Sequence, residues 1–277
     1  MRAVVGQSVA RIVETRDRGR ITVYDTAGPA GAPTLVLLHG VTLDAELNFA
    51  GVVPALARHY RVPYRLEDCA DDVAAVVRAM RVGPVVPVGY SMGGMVAQVF
   101  WRRHPELTAG LVLCATARNV SGSLFEQLTA MMMPFVVGAA GFLPPMFPTG
   151  ADLVGVRMLS DGLDPRVRRA ALVRMRRTPL VTALAAMQAV CEFSSHRWIS
   201  TVDVPVAVVV TRHDRVVPPS RQWRLARALP AAEVVEIDGG HDVFLDAPGA
   251  FAHALVDACL AVVVPDDDTH GDTERAG

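Results

Sequence analysis

Lysine is missing from the chain altogether, so all 27 basic residues are arginine. Against 28 acidic residues they leave a formal net charge of −1, and no excess of either sign is there to hold nucleic acid or an anionic membrane. A small molecule is the expected partner. Cysteine is scarce too: Cys69, Cys114, Cys191 and Cys259 stand far apart with no C-x-x-C pair, which argues against a zinc site and against a disulfide framework. The apolar stretch of "MRAVVGQSVARIVETR" is too short and too soon interrupted for a secretory leader, so the protein is expected in the cytoplasm. Residues 128–147 tempt a membrane reading, because they run uncharged for the length of a span. Pro144 and Pro145 would end any helix that reached them, so a helical hairpin is expected there and no integral membrane span.

At 277 residues the chain can bury about three quarters of its unfolded surface. Two short amphipathic strands, 9–14 and 20–25, lead through "TAGPAGAP" to "TLVLL" at 34–38. A continuous apolar run of this kind, bounded by Pro33 and Gly40, reads as a strand buried on both faces. The same reading fits 84–88, 110–114, 204–210 and 233–237, with helical periodicity in most of the intervals. Alternating buried strands and helices predict an α/β fold with a parallel sheet between helical layers. From 120 to 199 this rhythm fails. The segment is Met-rich, then Arg-rich ("DPRVRRAALVRMRRTPL"), at helical spacing. The expected organisation is a core of 1–119 and 200–264, a helical cap insertion of 120–199, and an aperiodic, acidic tail of 265–277 that stays disordered.

The sharpest signal is Gly89-Tyr90-Ser91-Met92-Gly93, a G-x-S-x-G match with a buried strand before it and a helix after it. The glycines allow a tight turn that leaves the Ser91 hydroxyl above the sheet at a helix N-terminus. A serine hydroxyl is a weak nucleophile until a base takes its proton and an acid orients that base. His241, in "VVEIDGGHDVFLDAP", follows a strand and supplies the base; Asp214, in "VPVAVVVTRHDRVVPP", follows another and supplies the acid. Of the other histidines, His59 ends an upstream helix, His104 ends the helix after Ser91, and His213 shares the loop of the acid. Asp238 and Asp242 flank His241 too closely in sequence to reach around it comfortably. "LVLCATARN" offers no carboxylate.

With His39-Gly40 after "TLVLL", the elbow at Ser91, "RHDRVVPP" and "GGHDVFLDAP" in this order, the chain resembles the α/β-hydrolase superfamily over nearly its whole length. The resemblance implies backbone N–H donors for an oxyanion from the residue after His-Gly, Val41, and the residue after the nucleophile, Met92. The hydroxyl of Thr42 would add a further donor to that oxyanion. It further implies two-step acyl transfer through an acyl-serine, with no cofactor and no metal: a serine hydrolase acting on a carboxylic ester, lactone or thioester. Cofactor-free haloperoxidases of the superfamily carry the same triad, which keeps that activity as an alternative.

One departure stands out. Between His-Gly and the elbow, members of the superfamily carry a helix, a further central strand, a glycine-rich loop and a second helix. Here only "RVPYR" separates "DAELNFAGVVPALARHY" from "LEDCADDVAAVVRAM". Four residues, 61–64, span at most about 14 Å, whereas helices on opposite faces of a sheet lie on the order of 20 Å apart. The strand is therefore expected to be missing or degraded, with Pro63 interrupting any ladder. That shortening favours a second alternative, a hydrolase-derived ligand-binding protein or truncated product without turnover. Met131, Met132, Met133, Phe135, Phe142 and Phe147 would make an adaptable apolar roof suited to a lipophilic substrate.

Overall fold

The computed structural model describes residues 8–26, 33–41, 65–120, 158–176, 178 and 180–263. The shortened connection at 61–64, Thr42, the aromatic and Met-rich part of the cap, the uncharged run 128–147 and the tail 265–277 lie outside these residues.

Strands β1 (Ser8–Thr15) and β2 (Gly19–Thr26) pair antiparallel in full register, Ser8 opposite Thr26. Then come β3 (Thr34–Leu38), α1 (Leu66–Met80), β4 (Val85–Tyr90), α2 (Met92–Arg103) and β5 (Leu111–Cys114). After the insertion follow β6 (Val206–Thr211), α5 (Pro219–Ala226), β7 (Glu233–Ile237), the short α6 (Val243–Asp246) and α7 (Pro248–Val262). The described part of the insertion carries α3 (Pro165–Met175) and α4 (Leu180–Glu192) and no strand. The main sheet has five strands in the order β3-β4-β5-β6-β7, all parallel, as the alternation of strands and helices predicts.

Every residue of β4, β5 and β6 is buried, because helices cover both faces. Alternate residues divide between the faces. Val86, Val88 and Tyr90 join Val112, Val209 and Phe251 on the α7 side, while Val85 joins Leu66, Ala74 and Phe100 of α1 and α2. The buried positions of α1, namely Leu66, Ala70, Ala74 and Val77, recur at the spacing of one helical face.

Two strands depart from the expected burial on both faces. In β3, half-buried and exposed positions alternate, with Leu35 42% and Leu37 38% exposed. In β7 only Ile237 is buried. Among the described residues both strands sit at the edges of the sheet, and a run of apolar residues cannot reveal how many neighbours a strand has. The hairpin β1–β2 forms its own two-stranded sheet. It is held to α1 through Arg18, whose Nε donates to Asp72 at 2.6 Å and whose Nη2 donates to the Asp68 carbonyl at 2.9 Å. Among the described residues no strand pairs with the outer edge of β3.

The described residues between β5 and β6 are tied to the rest of the chain at two places. Ser195 donates from Oγ to Gln98 Oε1 of α2 at 2.7 Å and from its backbone N–H to the Arg118 carbonyl at 2.8 Å. Midway along the insertion, Ser160 bonds to Asp242, one residue past His241.

Candidate active site

Ser91 is the hinge between β4 and α2. Its φ of 55° lies in the left-handed region, a costly conformation for a residue with a side chain. Two glycines make the turn possible by close approach: a Cβ on Gly89 would collide with the Gly93 carbonyl, and one on Gly93 with the carbonyls of Leu38 and His39. The bend is further pinned by the Ser91 N–H donating to the Cys114 carbonyl at 2.9 Å and by Thr116 Oγ1 donating to the Ser91 carbonyl at 2.7 Å.

The loops after β6 and β7 are laced together. The Arg212 N–H donates to the Ile237 carbonyl and the His213 N–H to the Gly239 carbonyl, each at 3.0 Å. This extension of the ladder carries Asp214 and His241 toward Ser91. His241 Nδ1 lies 2.7 Å from Asp214 Oδ2, and His241 Nε2 lies 3.0 Å from Ser91 Oγ. With the aspartate ionised, Nδ1 is the donor to it, and Nε2 is left to accept the serine proton. All three side chains are buried, Asp214 and His241 each 3% exposed. The structure thus joins the three residues that the motifs single out, over sequence separations of 150 and 27 residues.

Asp214 is held from several sides. Its Oδ1 accepts from the Val216 and Val217 N–H groups, both at 2.8 Å. Its Oδ2 accepts from Thr211 Oγ1 at 2.9 Å and, more distantly, from Gln222 Nε2 at 3.3 Å. His241 is positioned by Tyr90, whose hydroxyl donates to the His241 carbonyl at 2.7 Å and whose ring lies 5.6 Å from the imidazole, centroid to centroid. Burial, helped by the charges of Cys114, Asp214 and Asp242, pushes the Tyr90 phenol well above its ordinary 10.0. Burial likewise pushes the Cys114 thiol up.

Val41 and Met92 are both buried and belong to one apolar cluster. The contact of Gly93 with the Leu38 and His39 carbonyls brings the loop carrying Val41 against the start of α2. An anion placed there would face the N-terminus of a helix, the favourable end of its dipole.

Of the competing residues, His59 lies outside the described residues and the others go elsewhere. His213 pairs with Asp238 at 2.6 Å on the surface, and His104 Nε2 lies 2.9 Å from Asp71 Oδ1. Asp242 is buried and accepts from the Ser160 N–H at 2.6 Å and from the Ser160 hydroxyl. Gln222 and Tyr90 escaped the motif reading. For Gln222 a signal was present: with Leu225, Ala226 and Leu229 it makes an apolar stripe at helical spacing, and an amide on such a stripe is a buried polar group in need of partners. Among the described residues no group of three or more His, Cys, Asp or Glu side chains is arranged to hold a metal ion, and no helix is long and apolar enough to cross a membrane.

The model of the α/β-hydrolase fold family matches residues 63–248, and the chain belongs to that family. It is an enzyme of the hydrolase class. Among curated relatives, the pimeloyl-(acyl-carrier protein) methyl ester esterase of Xanthomonas campestris pv. campestris is 29% identical over 250 residues, covering 80% of this chain and 93% of that one. The pyrrolizixenacetamide deacetylase of Xenorhabdus hominickii is 23% identical over 260 residues, covering 84% and 93%. A thermophilic esterase from Thermogutta terrifontis superposes with a TM-score of 0.73 at 24% identity, covering 94% of this chain and 100% of that one.

Proposed function

We propose that the protein is a serine hydrolase that cleaves a carboxylic ester of a small, lipophilic substrate through an acyl-serine intermediate. The observation that carries this reading is the buried hydrogen-bonded line Ser91–His241–Asp214. Ser91 Oγ attacks the carbonyl carbon as its proton passes to His241 Nε2, and Asp214 stabilises the imidazolium that results. The carbonyl electrons move onto oxygen, and the backbone N–H groups of Val41 and Met92 receive that oxyanion; one such donor is worth about 3 kcal/mol in related chemistry. Collapse of the intermediate expels the alcohol, protonated by His241. A water molecule, deprotonated by the same nitrogen, then releases the acid. A relative named as an ester esterase and an esterase of similar fold support the ester as substrate class.

The alternative of a ligand-binding descendant without turnover draws on the shortened connection at 61–64. The assembled hydrogen bonds among the three side chains weigh against it, since they line up Ser91 Oγ, both ring nitrogens of His241 and the Asp214 carboxylate in the order that proton transfer needs. One experiment separates the two readings. Intact-mass analysis after exposure to a fluorophosphonate should show a single adduct on the wild type and none on Ser91→Ala. A folded wild type that takes up no probe would sink the hydrolase reading.

A further inference from the structure

Gln222 is fully buried on the core face of α5, eight residues beyond Asp214, and each polar atom of its amide is engaged. Its Oε1 accepts from the Thr211 N–H at 3.0 Å. Its Nε2 donates to the Val217 carbonyl at 2.7 Å and to Thr211 Oγ1 at 2.8 Å, and the same nitrogen lies 3.3 Å from Asp214 Oδ2. These partners fix which way the amide points: turned over, it would set an oxygen against the Val217 carbonyl and an N–H against the Thr211 N–H. They also fix the Thr211 hydroxyl. Having accepted from Gln222, that oxygen turns its one hydrogen to Asp214 Oδ2 at 2.9 Å. Thr211 is the last residue of β6 and Val217 gives its N–H to Asp214 Oδ1, so one side chain grips both ends of the loop that carries the acid.

We propose that Gln222 is a positioning residue for the acyl-transfer reaction: it orients Asp214 toward His241 and, with the Val216 and Val217 N–H groups and the Thr211 hydroxyl, surrounds it with donors, while the other buried carboxylate beside the base, Asp242, turns to Ser160. Besides His241, the titratable groups that face Asp214 are Tyr90 and Cys114. The proposal rests on the hydrolase reading above. Its chemical content is that the residue must be an amide. A carboxyl group of the same size at 222 would face the Val217 carbonyl and Asp214 Oδ2, both acceptors. Two carboxyls that close do not ionise together readily and share a proton, so Asp214 would be neutral part of the time until the pH rose. Where both did ionise, the added negative charge would hold a proton on His241 to higher pH. Either course moves the acid limb of the rate profile upward.

The test is the second-order rate of fluorophosphonate labelling of Ser91, followed against pH in wild type, Gln222→Glu and Gln222→Met, each also in an Asp214→Asn background. Gln222→Glu is expected to shift the acid limb up by about one pH unit or more and to lower the plateau about tenfold or more, within the roughly 10⁴-fold that losing the acid itself can cost. Gln222→Met, of similar volume and no charge, is expected to lower the plateau without that upward shift, and it keeps the test open if the glutamate variant does not fold. With Asp214 replaced, the group acted through is gone, and either change should alter the rate less than about twofold, the non-additivity of residues working as a unit. A folded Gln222→Glu or Gln222→Met with the wild-type profile overturns the proposal. So does a loss of equal size in both backgrounds, which is the mark of a merely structural amide. A wild type that is not labelled at all fails differently, because it removes the hydrolase reading before Gln222 is reached.

Discussion

Tyr90 stands one residue before Ser91, and its hydroxyl holds the backbone of His241. Tyr90→Phe leaves the buried His241 carbonyl without this donor, and an unmet acceptor of that kind costs about 1–3 kcal/mol; urea unfolding at pH 7 should register the loss. The phenol adds a pH signature. Because burial raises it above 10.0 in the folded state, the stability it contributes is fully present below that value and declines as the pH climbs beyond it, when the unfolded chain ionises first. The decline above pH 10 should be shallower in Tyr90→Phe than in the wild type. At this scale the sequence was most readable. Ser91, Asp214 and His241 each follow a strand of the parallel sheet, where such folds gather their chemistry, and the motifs around them are dense. The residues that hold them were not readable in the same way. Tyr90 acts on a backbone carbonyl that no motif encodes, and Asp242, too close to the histidine in sequence to serve as its acid, is buried against Ser160, a partner 82 residues away that no motif announces.

Helix α1 reaches α2 through Asp71, which accepts from Arg103 Nε and Nη2, each at 2.8 Å, with His104 Nε2 at 2.9 Å. The Arg103 hydrogen bonds, with a smaller part from His104, hold the Asp71 carboxyl below its ordinary 3.8 against the opposing effect of burial. A lowered native value means that this stability is complete above pH 3.8 and is lost as the pH falls from there through the lower value of the folded state. The cluster is partly exposed, so Asp71→Asn should cost only about 0.5–1 kcal/mol at pH 7, and the two proteins should converge in acid; thermal melts at the two pH values check both points. The elements themselves were largely legible. The run at 34–38 and the run at 233–237 are strands to the residue, and "LEDCADDVAAVVRAM" is the whole of α1. What composition could not say was which strands lie at an edge. "TLVLL" is as apolar as "LVLC", and only the neighbours decide that Leu35 and Leu37 meet solvent while Leu111 and Leu113 do not.

Over the whole molecule, the insertion and the core meet beside the base. Asp242 is a buried carboxylate whose partners are the N–H and hydroxyl of Ser160, and Arg168 of α3 donates to the Ser160 carbonyl at 2.9 Å. Ser160→Ala should therefore destabilise by about 1–3 kcal/mol, since it takes a donor from a buried charge. The loss should shrink when Asp242→Ala is made as well, because the charge is then gone; denaturant unfolding of the two single variants and the double variant measures that difference.

The order in which the chain is made gives the parallel sheet a further meaning. Its ladders join distant segments, Leu111 to Val206 among them, whereas the hairpin closes on itself within 8–26. Contacts of long separation form late, after the entropy of closing large loops has been met. A ribosome releases Ser91 150 residues ahead of His241, and while the chain is still growing the nucleophile has neither its base nor its acid. The hydroxyl at the elbow stays an ordinary serine until nearly the last strand arrives, so a nascent chain cannot acylate itself on the metabolites around it.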